Sequence, residues 1–356
     1  MSDINLLTPG RIGGMDTRNR IMMAPMTRSR AHEDGVPSDL AITYYEQRAS
    51  AGLIITEGVA PTAVGRGYAR TPSIHSAEQI AAWKKIADAT HAKGGRLFMQ
   101  FMHVGRIAHS GNRYTAEPPI APSALRAGGQ MWTDANGLQD FDEPRALETS
   151  EIPGVIEDFA QATRNALAAG FDGVELHSAS GYLPMQFLSA HTNRRTDAYG
   201  GSVNNRIRFV VEALEAMIAA AGSSGRVGMK ISPGIVFNDI QELDPVGTIE
   251  TYTALLKAID PMQLGYLHVL QSAFPNTFEA LRPFVSVPFA AGGGFTHETG
   301  DAMLAAGKAD FIVFGKPFTS NPDLPIRFDQ GATLTPFTPD TFYTPGAKGY
   351  TDYPPL

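Results

Sequence analysis

The chain has 356 residues, a net charge of −7 and no cysteine, which excludes disulfides, thiolate catalysis and cysteine-ligated zinc or iron–sulfur sites. The acidic balance, with no basic run, argues against nucleic acid and anionic membranes as partners. The first residues do not form a signal peptide and no apolar run reaches the roughly 18 residues of a membrane span, so we expect a cytoplasmic protein.

Short apolar runs alternate with helical segments along the whole chain. Eight runs are predicted as buried strands: residues 20–24, 53–57, 96–102, 173–176, 227–232, 266–270, 288–291 and 311–314. Helices are predicted at residues 40–51, 77–92, 155–169, 203–220, 245–259 and 296–306, with a weaker candidate after Phe274. Strands that alternate with helices pair in parallel, because a parallel crossover needs a helix-length connection. The pattern predicts an α/β fold, a single closed (β/α)8 TIM barrel over residues 1–356.

The residues at the ends of the helices fit these boundaries. Residues 76–79 (SAEQ) form a capping box at the start of the second helix, and Gly94 follows its end. Asp244 precedes a proline at the first turn of another helix, which is typical of an N-terminus.

Two segments lie outside the repeat. A polar excursion rich in Pro, Gly and Asn runs from His103 to about residue 153, after the third strand. Loops this long in compact domains are usually functional or disordered, and we interpret this one as a substrate lid over the C-terminal face, with a plain surface hairpin as the alternative. The tail from residue 329 to 356 carries several aromatic residues and is predicted to dock on the barrel.

Glycine-rich turns follow the last two predicted strands. Residues 290–294 (AAGGG) and 314–316 (FGK) place Gly293, Gly294, Gly315 and Lys316 there. Glycines let backbone N–H groups approach an anion, and barrels frequently bind phosphate after strands seven and eight. The alternative is two tight turns with a solvated lysine.

Polar residues also stand at the C-terminal ends of the earlier strands, where barrel enzymes carry their chemistry. They are Thr27, Glu57, Gly58, Gln100, His103, His177 and Lys230. Gln100 lies in an apolar strand and needs partners, which a flavin or pyrimidine edge or the neighbouring backbone could supply. No spacing of His, Asp and Glu is convincing as a metal site.

Lys230 is a cation within the apolar run 228–233 (GMKISP). A buried cation needs a partner, and three readings stay open. The lysine could stabilise negative charge on a cofactor, act as a Schiff-base lysine as in barrel aldolases, or form a structural ion pair with Glu57 or Glu175.

The most informative stretch is residues 174–182 (VELHSASGY). Val174 to Leu176 form the end of a buried strand, and His177, Ser180 and Tyr182 crowd an imidazole, a hydroxyl and a phenol into the turn that leaves it. Three polar side chains at one strand end contribute little to a hydrophobic core, but they can bind a substrate and transfer protons to it.

These residues together resemble the old yellow enzyme family of FMN-dependent ene-reductases. The resemblance covers nearly the whole chain and rests on residues 24–28 (APMTR), 44–57 (YYEQRASAGLIITE), 80–85 (IAAWKK), 170–177 (GFDGVELH), 195–202 (RTDAYGGS), 321–324 (NPDL) and 349–354 (GYTDYP). It implies that NADPH or NADH reduces bound FMN, that hydride then passes to the β-carbon of an activated alkene, and that a tyrosine protonates the α-carbon.

The resemblance also implies roles for individual residues. Flavin contacts would come from Pro25, Met26, Thr27, Gly58, Gln100 and Lys230. Phosphate contacts would come from Gly293, Gly294, Gly315 and Lys316. The substrate would meet Tyr68, His177, Ser180 and Tyr343. Tyr182 would be the proton donor and His177 would bind the substrate carbonyl.

The chain departs from the family pattern at four positions. Ser180 stands where relatives carry a second His or an Asn, and Met102 where many carry a large aromatic residue. Lys230 and Lys316 replace arginines and lose the planar, bidentate fork. We expect weaker FMN binding and an altered substrate range rather than a different reaction.

The sequence therefore predicts an FMN-dependent NAD(P)H oxidoreductase, monomeric or homodimeric, that reduces α,β-unsaturated carbonyl or nitro compounds. Two rivals remain: a flavin-independent lyase with a Lys230 Schiff base, and a flavin-binding homologue with weak or redox-neutral isomerase activity.

Overall fold

Eight parallel strands close into a barrel in the computed structural model, which describes residues 5–272, 274 and 276–356. In chain order they are β1 (Ile21–Met23), β2 (Leu53–Ile55), β3 (Leu97–Phe101), β4 (Gly173–Ser178), β5 (Val227–Ile231), β6 (Tyr266–Leu270), β7 (Phe289–Gly292) and β8 (Phe311–Phe314). Each strand pairs with the next, and β8 pairs with β1. The predicted (β/α)8 barrel is confirmed, with every strand within two residues of its predicted bounds.

The helices lie between and after these strands. They are α1 (Leu40–Glu46), α2 (Ala77–Ala92), α3 (Ile152–Ala168), α4 (Leu183–Leu188), α5 (Val203–Ala221), α6 (Pro245–Ile259), α7 (Thr277–Leu281), α8 (His297–Ala305), α9 (Lys316–Ser320) and α10 (Leu324–Gln330). The predicted capping box of α2 and the Asp244 cap of α6 are both formed. Within the described residues, no helix is both long and apolar enough to span a membrane.

The predicted end of the first helix at residue 51 is wrong, because α1 stops at Glu46. Arg48 lies in the turns that follow and is fully buried. Its guanidinium donates to the carbonyls of Phe318 and Thr319 at 3.0 and 3.1 Å. The chain leaves the helix early because this buried cation needs carbonyl partners, which α9 of the neighbouring β8 unit supplies.

An N-terminal hairpin was not predicted. Residues 10–12 pair antiparallel with residues 15–17 around Gly13 and Gly14, whose φ values are +52° and +90°. Ile12 is fully buried against the N-terminal end of the barrel core. The Gly-Gly pair between two short runs is a hairpin signal that could have revealed it.

The barrel interior has an apolar half and a polar half. The apolar half contains Met22, Leu53, Ile55, Phe98, Tyr266, Ala290, Phe311 and Val313. Toward the C-terminal ends of the strands, the buried side chains become polar: Gln100, Glu175, His177, Lys230 and His268. The buried polar side chains therefore gather at the C-terminal mouth, the end at which barrel enzymes carry their chemistry.

The excursion after β3 contains structure of its own. Residues 120–121 pair with 145–146, and residues 130–133 form an antiparallel hairpin with 137–140. Its buried Met131 and Phe141 pack in one cluster with Met102 and Tyr182. The excursion is thus a hairpin-bearing segment that contacts the mouth, and its closure on a substrate stays a prediction.

The aromatic tail docks, as predicted. Arg28, in the segment that follows β1, donates to the carbonyls of Gly349 at 2.7 Å and Phe342 at 3.3 Å, and to the Tyr44 hydroxyl at 3.0 Å. The ring of Tyr350 stacks on Tyr44 at 4.1 Å. Buried Arg30 also donates to the tail carbonyls of Gly346, Thr341 and Lys348, each at 2.9 Å, so two guanidiniums join the tail to the first βα unit.

We expect Arg28→Met to lower the free energy of unfolding by roughly 3 kcal/mol, because the Gly349 carbonyl and the Tyr44 hydroxyl lose this donor and each unmade buried bond costs about 1–3 kcal/mol. The Phe342 carbonyl keeps a second donor, Arg30 Nη1 at 3.0 Å. Urea unfolding measures this change. Arg18→Met is the matched control, since exposed Arg18 makes a single bond to the Gly94 carbonyl. An equal loss in both variants would contradict a special role for Arg28 in holding the tail.

Candidate active site

His177 lies inside β4 rather than in the turn beyond it, which corrects the sequence prediction. The strand continues because its backbone pairs with β5, where His177 stands opposite Lys230. The side chain is buried, and its Nδ1 has no hydrogen-bond partner among the described residues. Burial, reinforced by Lys230 and His268, holds the pKa of His177 well below 6.5. The neutral imidazole carries one N–H donor.

The turn after β4 is held by side chains from the next unit. The backbone N–H of Ser180 donates to Ser232 Oγ at 2.9 Å, and the Ser180 carbonyl accepts from Asn238 Nδ2 at 2.8 Å. Ser180 has a φ of +57°, a left-handed conformation in which Asn is several-fold enriched among non-glycine residues. The backbone of Ser180 is thus held on both sides, and its side chain is half-buried.

Tyr182 follows this turn at the start of α4. Its ring meets the ring of His177 edge-on at 4.8 Å between centroids, and its hydroxyl donates to the Tyr68 hydroxyl at 3.1 Å. Burial, with Tyr68 and Tyr343 adding to it, raises the pKa of Tyr182 well above 10. The phenol therefore keeps its proton at neutral pH and gives it up only to a strong base.

The predicted substrate residues Tyr68 and Tyr343 lie near Tyr182. Burial raises the pKa of Tyr68 above its ordinary value, and Tyr343 acts in the same direction. Tyr343 is 59% exposed and lies at the rim, where its carbonyl accepts from Arg70 Nη2 at 2.8 Å. The docked tail therefore supplies part of the wall of the mouth.

Asn238 belongs to this site and was missed by the sequence analysis. It occupies the turn of a hairpin at residues 236–241, with positive φ values at Asn238 and Asp239. Its Nδ2 lies 3.4 Å from the Tyr68 hydroxyl, while Asp239 pairs with Arg106 of the excursion at 3.1 Å. The Asn-Asp pair between two short apolar runs was the available signal for this turn.

The floor of the mouth is a buried polar group around Glu175. Gln100 Nε2 donates to Glu175 Oε1 at 2.6 Å, so a side chain rather than the backbone satisfies this amide. Glu175, not Glu57, is the carboxylate that acts on Lys230 and opposes the lowering of its pKa by burial. The Glu57 carboxylate instead accepts from the backbone N–H of Arg28 at 3.1 Å.

The residues that follow β1 and β2 line another side of the mouth. Pro25, Met26 and Thr27 are half-buried at the end of β1. Gly58 is buried beneath Met102, and a Cβ at position 58 would lie 2.6 Å from the Met102 sulfur. Glycine is needed there because Met102 approaches the backbone so closely.

The glycine turns after β7 and β8 lie on paired neighbouring strands. Gly293 and Gly294 are exposed with φ values of +128° and +81°, and a Cβ at position 294 would meet no atom of the described residues within 4 Å. Gly315 precedes α9 and has only Ala24 and Met26 near its Cβ position, both at 3.6 Å. Lys316 beside it is exposed.

These features together fit FMN. The open glycine backbone and Lys316 suit its phosphate, since glycine turns allow N–H groups to approach an anion. The Gln100 amide, whose NH₂ is taken by Glu175, keeps its oxygen available for a ring N–H. Nδ1 of His177 is a buried donor or acceptor that no described residue satisfies, so it still needs a partner.

Comparison with known proteins gives matches over most of the chain. The family model described as the NADH:flavin oxidoreductase / NADH oxidase family matches residues 5–335. The chain is 40% identical over 362 residues to 12-oxophytodienoate reductase 1 of Oryza sativa subsp. japonica, covering 99% of this chain and 93% of that protein. It is 38% identical to 12-oxophytodienoate reductase 2 of Arabidopsis thaliana, covering 99% of this chain and 96% of that protein.

Solved structures agree with these matches. The old yellow enzyme homologue from Zymomonas mobilis superposes with a TM-score of 0.95 at 39% identity, covering 99% of this chain and all (100%) of that chain. Morphinone reductase in complex with tetrahydroNAD superposes with a TM-score of 0.94 at 42% identity, covering 99% of this chain and 98% of that chain.

Proposed function

We propose residue roles for a chain that belongs to the NADH:flavin oxidoreductase / NADH oxidase family of old yellow enzymes. It is an FMN-dependent oxidoreductase that uses a nicotinamide hydride donor and reduces activated carbon–carbon double bonds. One observation carries the proposal for its site. A neutral His177, whose Nδ1 has no hydrogen-bond partner in the described part of the chain, lies beside a protonated Tyr182 above the Glu175 floor, with ring centroids 4.8 Å apart.

The cofactor would be held by residues from most of the strand ends. Phosphate contacts would come from Gly293, Gly294, Gly315 and Lys316, and ring contacts from Pro25, Met26, Thr27, Gly58, Gln100 and Lys230. When bound there, FMN supplies the hydride that a nicotinamide coenzyme, NADH or NADPH, has given to it. Lys230 lies on the polar floor, where an ammonium group favours negative charge on the ring.

His177 and Tyr182 then divide the work on the substrate. His177 donates its N–H to the oxygen that activates the alkene, which stabilises the negative charge that develops when hydride reaches the β-carbon. Tyr182 donates its proton to the α-carbon, and Tyr68 turns its hydroxyl to the resulting phenolate. Asn238 Nδ2 supports the Tyr68 oxygen, so the charge left on Tyr182 is spread over a fixed network.

The substrate class follows from the same donors. The curated relatives are named for 12-oxophytodienoate, and we propose alkenes activated by a carbonyl, with nitroalkenes as a second set. A single strong donor at His177 suits both, because each presents an oxygen on which charge accumulates.

A spectrum of the purified protein tests the proposal. Bound flavin should give absorbance near ~450 nm that NADH or NADPH bleaches without air and an enone restores. The proposal would be wrong if the protein shows no flavin absorbance after FMN has been added and the free cofactor removed. Borohydride trapping of a carbonyl compound on Lys230 would favour the Schiff-base lyase. If the reduced flavin is not reoxidised when an enone is added, the result would favour a flavin-binding homologue without ene-reduction.

We expect Ser180→Asn to tighten the binding of a phenol by about tenfold, close to the value of one added hydrogen bond. Asn suits the left-handed φ of +57° at this position. Its side chain is longer than that of Ser and would reach further toward the phenol oxygen that we place beside His177. The affinity is measured by titrating the flavin absorbance.

Ser202→Asn is the matched control for this substitution, because Ser202 caps α5 away from the mouth and Asn is an equally good cap. Unchanged phenol affinity in Ser180→Asn would place position 180 outside the oxygen-binding site.

A further inference from the structure

Glu175 is fully buried within the barrel, yet its carboxylate is surrounded by donors. Oε1 accepts from Gln100 Nε2 at 2.6 Å. Oε2 accepts from the Tyr266 hydroxyl at 2.9 Å and lies 3.2 Å from His268 Nδ1. Strands β3 and β6 therefore supply hydrogen bonds to one carboxylate of β4. Lys230 of β5 stands opposite His177 in the strand register and acts on this carboxylate through its charge, without a direct ion pair among the described residues.

The strand register explains why these groups meet. Glu175 is two residues before His177 on β4, so both side chains point to the barrel interior and Glu175 lies one layer deeper. Gly228 of β5 stands opposite Tyr266 of β6, and a Cβ at position 228 would lie 2.5 Å from the Tyr266 ring. The missing side chain lets the Tyr266 ring reach across to Glu175.

The carboxylate is ionised in this setting. Burial would raise the pKa of Glu175, but His268, Lys230 and Gln100 hold it below its ordinary value. Burial lowers the pKa of His268, so its neutral ring donates from Nδ1. An ionised carboxylate only accepts, and therefore the amide of Gln100 must turn its NH₂ toward Glu175 and its oxygen away.

We propose that Glu175 is a positioning residue for the flavin: it fixes the orientation of Gln100 and opposes the charge of Lys230, and thereby lowers the flavin reduction potential. This inference rests on the proposed placement of FMN above Gln100 and Lys230. A cation near the ring favours the reduced, more negative flavin, and a buried carboxylate that offsets the cation weakens this effect. None of the steps in the proposed reaction on the substrate requires Glu175.

The test is the two-electron potential of bound FMN, measured by equilibrium reduction beside a reference dye. Glu175→Gln keeps a hydrogen-bond acceptor for Gln100 but removes the negative charge. We expect the equilibrium ratio of reduced to oxidised flavin to rise about tenfold at a given potential, which is a rise of about 30 mV in the reduction potential. Tyr266→Phe removes one hydrogen bond without changing charge and should leave the potential unchanged. An unchanged potential in Glu175→Gln, or an equal rise in Tyr266→Phe, overturns the inference.

If Glu175→Gln alone does not fold, a second pair of variants tests whether Glu175 lowers the flavin reduction potential. Lys230→Gln should lower the potential, because it leaves Glu175 unopposed. The double variant Lys230→Gln with Glu175→Gln leaves no uncompensated buried charge from this pair, and its potential should return toward that of the wild type. Equal potentials in the single and double variants would overturn the inference. Wild-type protein that binds no FMN would instead refute the proposed function.

Discussion

Tyr182→Phe is expected to slow alkene reduction by about 10²–10⁴-fold, the usual contribution of a positioned general acid. Flavin reduction by NADH or NADPH should stay nearly intact, because that half-reaction needs no proton from Tyr182. The buried phenol keeps its proton through the whole neutral range, since its pKa is raised well above 10. It can therefore protonate only a carbon made strongly basic by hydride addition, which confines its effect to the second half-reaction. Stopped-flow absorbance separates the two rates.

Two other tyrosines sharpen this experiment. Tyr199→Phe is the matched control, because the Tyr199 hydroxyl bonds to Glu212 at 2.7 Å, outside the mouth. Tyr68→Phe should slow alkene reduction less than Tyr182→Phe does, since it removes only the group that stabilises the phenolate. Equal losses in both half-reactions of Tyr182→Phe would contradict the role of proton donor.

The barrel could be predicted from the sequence because its signals are local. Each buried strand is a short apolar run, and helix ends such as residues 76–79 carry their own capping residues. The end of α1 could not be predicted in this way. It depends on Arg48 finding carbonyls about 270 residues away in sequence, and no local pattern contains that contact.

The site was predictable only where its residues follow strands. His177 and Lys230 stand at strand ends, and a barrel brings all strand ends to one mouth. Asn238 reaches the site from a hairpin beyond β5, so its place depends on how that hairpin folds back toward Tyr68. Glu175 was visible in the strand, but its partners on β3 and β6 are set by the register between strands. That register is a property of the closed barrel and not of any one segment.

His177→Leu is expected to lower the rate of alkene reduction by about 10²–10³-fold, the usual cost of removing one donor from a developing oxyanion. Leu fills a similar volume, so flavin binding should survive. His91→Leu is the matched control, because His91 lies on α2 outside the barrel and bonds to Asp172 at 2.8 Å. A loss no larger than that of the control would remove His177 from the oxygen-binding site.

The protonation state of His177 gives the same hypothesis a second, independent test. An imidazole with an ordinary pKa would gain a proton as the pH falls through about 6.5. Burial beside Lys230 lowers the pKa of His177 well below that value, so the ring stays neutral and its N–H donor is unchanged from roughly pH 8 to pH 6. The contribution of His177 to the rate of alkene reduction should therefore not change with pH over this range.

Glu57, buried next to Arg28 with a pKa raised to about 7, can still impose a pH dependence of its own. The pH profile of His177→Leu separates the two groups. A titration that persists in this variant belongs to a group other than His177. A titration near pH 6.5 that is present in the wild type and absent from the variant would show that His177 is protonated during turnover, which would contradict the neutral-donor mechanism.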